Sequence, residues 1–171
     1  AGVRGYAYEL WATVALQHHQ LTIDWRLANT GHRSFTTRQY THNFFRFDNH
    51  DVGPNYVLEF PYNSVAQGLE PEQQQVGRAI LVRKRIPKWI NLVVPWPKGY
   101  GGANICTLRQ LDTRLAVTCQ TSLPSIRTAI HARPEYVAPE QFVAFTLAAG
   151  QDVRWSRSYL FVAPESHGDH P

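Results

Sequence analysis

The chain has 171 residues, enough for one well-cored domain and too few for two comfortable ones. Hydrophobic residues make up 43% and charged residues 18%, a balance that excludes disorder, and no apolar run approaches membrane-spanning length. The net charge of +4 raises a nucleic-acid reading, but the basic residues are scattered, and the one cluster, Arg83-Lys84-Arg85 with Lys88, sits among Ile80, Val82 and Ile86 as the wet face or end of a strand rather than a phosphate-binding patch.

In chain order, period-two alternation dominates. Tyr8, Leu10, Ala12, Val14 and Leu16 alternate with Glu9, Thr13 and Gln17; Leu21, Ile23, Trp25 and Leu27 alternate with Thr22, Asp24 and Arg26. The pattern predicts a hairpin with one buried and one wetter face, turning at His18-His19-Gln20 without a glycine. The first residues, AGVRGYAYEL, lack the charged-then-apolar pattern of a secretory leader. Strand pattern begins by Tyr8 with little lead-in and the chain has no methionine, so a piece of a longer chain is expected.

Residues 29–48, NTGHRSFTTRQYTHNFFRFD, are the most informative stretch. A turn at Asn29-Thr30-Gly31 leads into a third strand, bent or bulged, over 34–47. It carries Arg38, Gln39, Tyr40, His42, Asn43, Phe44 and Phe45. A polyhydroxylated ligand needs such a mixture, because each hydroxyl must meet a donor or acceptor and each apolar ring face favours an aromatic.

Further strands are predicted at 56–60, 77–85, 89–94, 105–109, 115–121, 125–131, 142–147 and 152–162, separated by Gly53-Pro54, Pro61-Tyr62-Asn63, Pro95-Trp96-Pro97, Leu123-Pro124 and Ala149-Gly150. Residues 64–75 are the best helical candidate, broken by Gly68 and Pro71. From Pro164 the chain reads as a loose tail. About ten antiparallel strands in one domain over 1–163 make the fold class all-β, a sandwich or barrel. Cys106 and Cys119 flank a hairpin turn near Leu111 and Asp112; two buried thiols or a disulfide both fit. No second cysteine pair is present to suggest zinc. Lys98-Gly99-Tyr100-Gly101-Gly102 lacks a Gly-Lys-Ser/Thr ending and a following helix, so it reads as a rim loop rather than a phosphate cradle.

Two segments carry a family resemblance. In the first, LTIDWRLANTGHRSFTTRQYTHNFF, an Asn-Thr turn leads into a strand with a histidine just before an aromatic, and Thr41-His42-Asn43-Phe44-Phe45 stands where an "NHxYFN" motif is found. The second comprises Ala138-Pro139-Glu140-Gln141-Phe142, Leu147-Ala148-Ala149-Gly150-Gln151 and Trp155-Ser156-Arg157-Ser158-Tyr159-Leu160-Phe161, similar to a glutamate strand, a "PGE"-like turn and a final strand ending "Y-x-F". In this order and spacing the chain resembles the aldose 1-epimerase (galactose mutarotase-like) superfamily. The resemblance implies a twisted antiparallel β-supersandwich, with this chain corresponding to the middle and C-terminal portion of longer members and an N-terminal sheet region outside it.

It also implies a small sugar as ligand and anomer interconversion by acid/base ring opening, without metal or organic cofactor. Glu140 matches the family's catalytic base, with Glu135 as competitor; an exposed loop carboxylate is the plainer alternative for either. His42 matches the motif histidine, implied to hold the sugar. Arg38 and Tyr40 share its strand face and are substrate-binding candidates, with Asn43 beside them. The family's acid histidine, expected downstream, has no counterpart: between Asp51 and Ile130 no histidine occurs, and His131 is out of order. Of the five tryptophans, Trp11, Trp25, Trp89, Trp96 and Trp155, Trp96 between two prolines is the one expected to be exposed as a sugar platform. The missing histidine keeps a second class open, a non-catalytic carbohydrate-binding or accessory sandwich domain, and a third, a β-sandwich mediating protein contacts.

Overall fold

A computed structural model describes residues 3–164; the tail predicted from Pro164 onward lies, beyond that residue, outside the described residues. Twelve strands and no helix occur among them. They are β1 (Tyr8–Gln17), β2 (Gln20–Asn29), β3 (Phe35–Gln39), β4 (Tyr56–Glu59), β5 (Gln73–Val76), β6 (Ala79–Val82), β7 (Ile90–Pro95), β8 (Ile105–Gln110), β9 (Ala116–Thr121), β10 (Arg127–Arg133), β11 (Tyr136–Leu147) and β12 (Asp152–Val162).

All pairings are antiparallel and build two sheets. The larger runs β1-β2-β12-β9-β8-β4-β6-β5 and the smaller runs β3-β11-β10-β7. The architecture is an antiparallel β-sandwich of two facing sheets. The main core fills the space between the sheets with Tyr56, Leu58, Ile80, Leu92, Leu108, Val117 and Ile130. A second cluster, Leu27, Val143, Phe145, Leu147 and Trp155, lies beside it.

Residues 64–75 form no helix, as their interruptions predict, and end in β5, whose Gln75 side chain bonds Ala66 N and Ser64 O. Gly68, at φ +81°, and Pro71 deny that stretch a helical run. The third strand stops at Gln39 rather than continuing to Phe47, and sheet pairing resumes only as a bridge from Phe45 to Val137. The first hairpin forms, in register Gln17↔Gln20 through Tyr8↔Asn29, but β1 buries neither face. Tyr8, Leu10, Val14 and Leu16 stay exposed because β3 is the outermost strand of the smaller sheet and nothing described covers β1.

The Asn29-Thr30-Gly31 turn ties the two sheets together. Asn29 is buried; its Nδ2 donates to Arg33 O (2.9 Å) and Leu147 O (3.0 Å), and its Oδ1 accepts from Gly31 N (3.0 Å). One side chain thus joins the end of β2, the lead into β3 and the end of β11. Glycine is required at 31 by crowding, since a Cβ there would lie 2.5 Å from Gly5 O and 2.6 Å from Ala7 N.

Cys106 and Cys119 are direct cross-strand partners, both buried and free. Burial pushes the Cys119 thiol up to about 12 and Cys106 well above its ordinary range.

Two tests follow from this packing. Gly31→Ala should lower stability by about 1–3 kcal/mol through overpacking. Gly150→Ala, where φ is +77° but nothing lies within 4 Å of a new Cβ, should lose only the left-handed backbone penalty of about 1–2 kcal/mol; urea midpoints compare the two. The thiols should resist Ellman's reagent at pH 8 until global unfolding. Their folded values exceed the unfolded ones, so their contribution is intact below pH 9 and fades as pH rises from 9 towards 12, because the unfolded thiols ionise first.

Candidate functional site

The site forms where the chain beyond β3 lies along β11. β3 pairs with β11 from Phe35↔Leu147 to Gln39↔Val143, and Phe45 bridges to Val137 further on. Alternation continues between these anchors. Arg38, Tyr40, His42 and Phe44 face outward and are exposed, whereas Gln39, Thr41, Asn43 and Phe45 turn inward. On β11 the outward set includes Tyr136, Glu140 and Phe142, opposite Arg133, Ala129 and Arg127 of β10.

His42 and Glu140, 98 positions apart in sequence, meet directly. His42 Nδ1 lies 2.5 Å from Glu140 Oε1. The glutamate side chain is 6% exposed and the imidazole 54%, so the histidine covers the carboxylate and presents its other edge to solvent. A carboxylate accepts only, so the bond places the proton on Nδ1 and leaves Nε2 as the outward atom able to give or take one.

Around this pair runs a row of rings. Phe142 stacks on Tyr40 (4.3 Å between centroids), Tyr40 meets His42 edge-on (5.0 Å), and His42 stacks on Phe44 (5.4 Å). Phe44 meets Tyr136 (4.6 Å), and Tyr136 lies 5.7 Å from His131. The Arg127 guanidinium sits 4.4 Å from the Phe142 ring centre at one end. Trp89, 55% exposed, lies 6.3 Å from His131 at the other. His131 is held by Asn91 Oδ1 at Nδ1 (2.7 Å) and by the Tyr136 hydroxyl at Nε2 (3.0 Å).

The remaining candidates fall in different places. Tyr40 belongs to the row, and Arg38 shares its face without an ion-pair partner among the described residues. Asn43 points inward: its Nδ2 donates to Pro139 O (2.7 Å) and its Oδ1 accepts from the Tyr159 hydroxyl (2.8 Å), so its amide is engaged by the framework. Trp96 is half-buried rather than exposed, against Tyr62 (4.9 Å) and Tyr100 (5.2 Å) beside the main core and away from the ring row. Glu135 occupies the exposed turn between β10 and β11, away from His42.

Sequence reasoning passed over Phe142, Tyr136, Arg127 and His131 as members of this face. Their outward set was present in the alternation of β10 and β11, but only the register brings them beside His42. The His42–Glu140 pair lies on an open sheet face. A cleft of about 900 Å³ lies alongside β3, lined by Tyr8, Leu10, Leu27, Phe35 and Trp155, and touches this region through Arg38 and Gln39. It reflects the uncovered apolar face of β1 more than the polar pair. No group of three metal-ligating side chains converges among the described residues.

No protein-family model and no curated protein matches the sequence. Solved structures do match. A putative aldose 1-epimerase from Klebsiella pneumoniae superposes with TM-score 0.73 at 7% identity, over 95% of this chain and 48% of that one. A galactose mutarotase related enzyme from Lactobacillus acidophilus gives TM-score 0.69 at 11% identity, over 92% and 62%. A putative aldose 1-epimerase from Escherichia coli K12 gives 0.67 at 16% identity, over 95% and 62%. The likeness establishes the mutarotase-like fold. This chain spans between 48% and 62% of those three structures.

A double-mutant cycle of His42→Ala and Glu140→Gln should return a coupling of roughly 0.5–3 kcal/mol in urea unfolding. The single His42→Ala change should be the more harmful, because it leaves a buried carboxylate without its donor.

Proposed function

We propose that the His42–Glu140 pair is an acid/base centre that interconverts the anomers of a small sugar. The observation that carries this reading is the 2.5 Å contact itself, with a buried carboxylate behind an exposed imidazole on a face rich in rings and hydrogen-bonding groups. The mutarotase-like fold, whose matched structures include two described as putative aldose 1-epimerases, supports a sugar as the ligand class.

Anomer exchange needs one proton off the anomeric hydroxyl and one onto the ring oxygen, both next to a single carbon. In this assignment Glu140 takes the hydroxyl proton as the exocyclic C–O becomes a carbonyl. His42, protonated on both nitrogens, gives its Nε2 proton to the ring oxygen as the ring C–O bond breaks. The charged pair becomes a neutral one, and no net proton leaves the site. After the C1–C2 bond turns, the same steps run backwards: the released hydroxyl returns its proton to Nε2 and Glu140 protonates the carbonyl oxygen. The Nδ1–H bond to Glu140 keeps Nε2 facing the sugar throughout. In this reading Arg38 and Tyr40, exposed on the same face, hydrogen-bond the sugar hydroxyls. This assignment makes the motif histidine the acid, so no second downstream histidine is needed.

Polarimetry or NMR of fresh α-glucose and α-galactose tests the reading. Exchange should exceed the buffer rate, and Glu140→Gln or His42→Ala should lower kcat by about 100- to 10,000-fold. Exchange no faster than buffer in the unaltered protein would remove the enzymatic reading. The openness of the face and its run of rings favour one alternative, sugar binding without turnover; calorimetry that finds binding alongside null polarimetry would select it.

A further inference from the structure

We infer that Arg157 is a positioning residue that sets the His42–Glu140 contact from the opposite side of the smaller sheet. The inference rests on the acid/base reading only for its kinetic consequence; the contact itself is independent of it. Arg157 lies on the inward face of β12, is 1% exposed, and faces no carboxylate within ion-pairing distance among the described residues. Its Nη2 donates to Gln39 Oε1 (2.8 Å), Gln141 O (2.8 Å) and, more weakly, Gln39 O (3.4 Å), while Nε reaches Gln39 Oε1 at 3.3 Å. One guanidinium thereby joins the last residue of β3 to the residue after Glu140.

This matters because sheet pairing is absent where it would be most useful. β3 ends at Gln39 and the next bridge is at Phe45, so residues 40–44, including His42, have no ladder holding them to β11. Side chains bound that gap instead. Arg157 holds Gln39 and Gln141 at one end. At the other, Tyr159, two residues further along the same face of β12, bonds Asn43, which bonds Pro139 O. Gln39 and Asn43 bracket His42, and Pro139 and Gln141 bracket Glu140. A buried guanidinium without a counter-charge is a poor stabiliser, since apolar side chains of similar volume are often as good or better in such places. Its planar fork of donors, in contrast, suits bridging two fixed carbonyl groups, which an ammonium cannot do with the same geometry.

Arg157→Met and Arg157→Lys, both at sites remote from any bound sugar, test this. The readouts are the urea midpoint, the His42 Nδ1–H resonance and ¹⁵N tautomer signature by NMR, and kcat and KM for anomer exchange. The expected result is a folded Met variant with an unchanged or higher midpoint and a lost or exchange-broadened Nδ1–H signal. Its kcat should fall by up to about 100-fold, the order expected for misplacement of a reacting group, with KM within about threefold. The Lys variant should recover the signal only in part. If the Met variant does not fold, the Lys variant decides, because it keeps the charge but cannot span both acceptors. An unchanged Nδ1–H signal in the folded variant overturns the inference. If the unaltered protein exchanges no anomers, the catalytic reading falls while the NMR signal still decides the role of Arg157.

Discussion

The structure turns on the inward face of β12, where the larger sheet meets the smaller one. Trp155 packs on Phe145 (4.7 Å between rings), Arg157 reaches the Gln141 carbonyl, and Tyr159 reaches Asn43. These three side chains alternate along one strand, and each touches β11 or the segment leading from β3. Two of the contacts are polar and buried. That makes them directional as well as adhesive: a hydrogen bond inside a sandwich tolerates little sliding, whereas apolar packing alone permits several registers.

Through that face the site inherits its geometry. The pair at its centre combines a carboxylate almost out of water with an imidazole largely in it. Burial of the carboxylate is acceptable because the imidazole N–H satisfies it. Exposure of the imidazole leaves one nitrogen free for a ligand. The rings on either side limit how far the imidazole can turn, since Tyr40 meets its edge and Phe44 covers a face. The same rings lay an apolar surface beside the free imidazole nitrogen.

Much of this was legible in the residues. Most of the strands, the first hairpin and the cysteine pair as cross-strand neighbours follow from alternation and turn chemistry. His42 and Glu140 were nominated by their resemblance to motif positions. Several readings failed for physical reasons. Alternation in β1 marked a face able to be buried, but burial needs a covering layer and none of the described strands supplies it. Trp96, between two prolines, looked like a rim residue, yet Tyr62 and Tyr100 enclose it. The burial of Arg157 is not legible in the sequence, because an arginine in an alternating strand is ordinarily a surface residue and only the sandwich turns this one inward.

By itself the sequence determined the all-β class, the position of most strands and the mixed polar and aromatic make-up of residues 29–48, because side-chain period and turn residues are local properties of the chain. The tertiary structure alone decided that His42 lies 2.5 Å from Glu140, that Asn43 serves the framework, and that His131 joins the ring row from another strand. Those outcomes depend on cross-strand register and on which sheet face is covered. Both are set by contacts between residues far apart in the chain, Arg157 and Gln39 being 118 positions apart, and no local pattern encodes them.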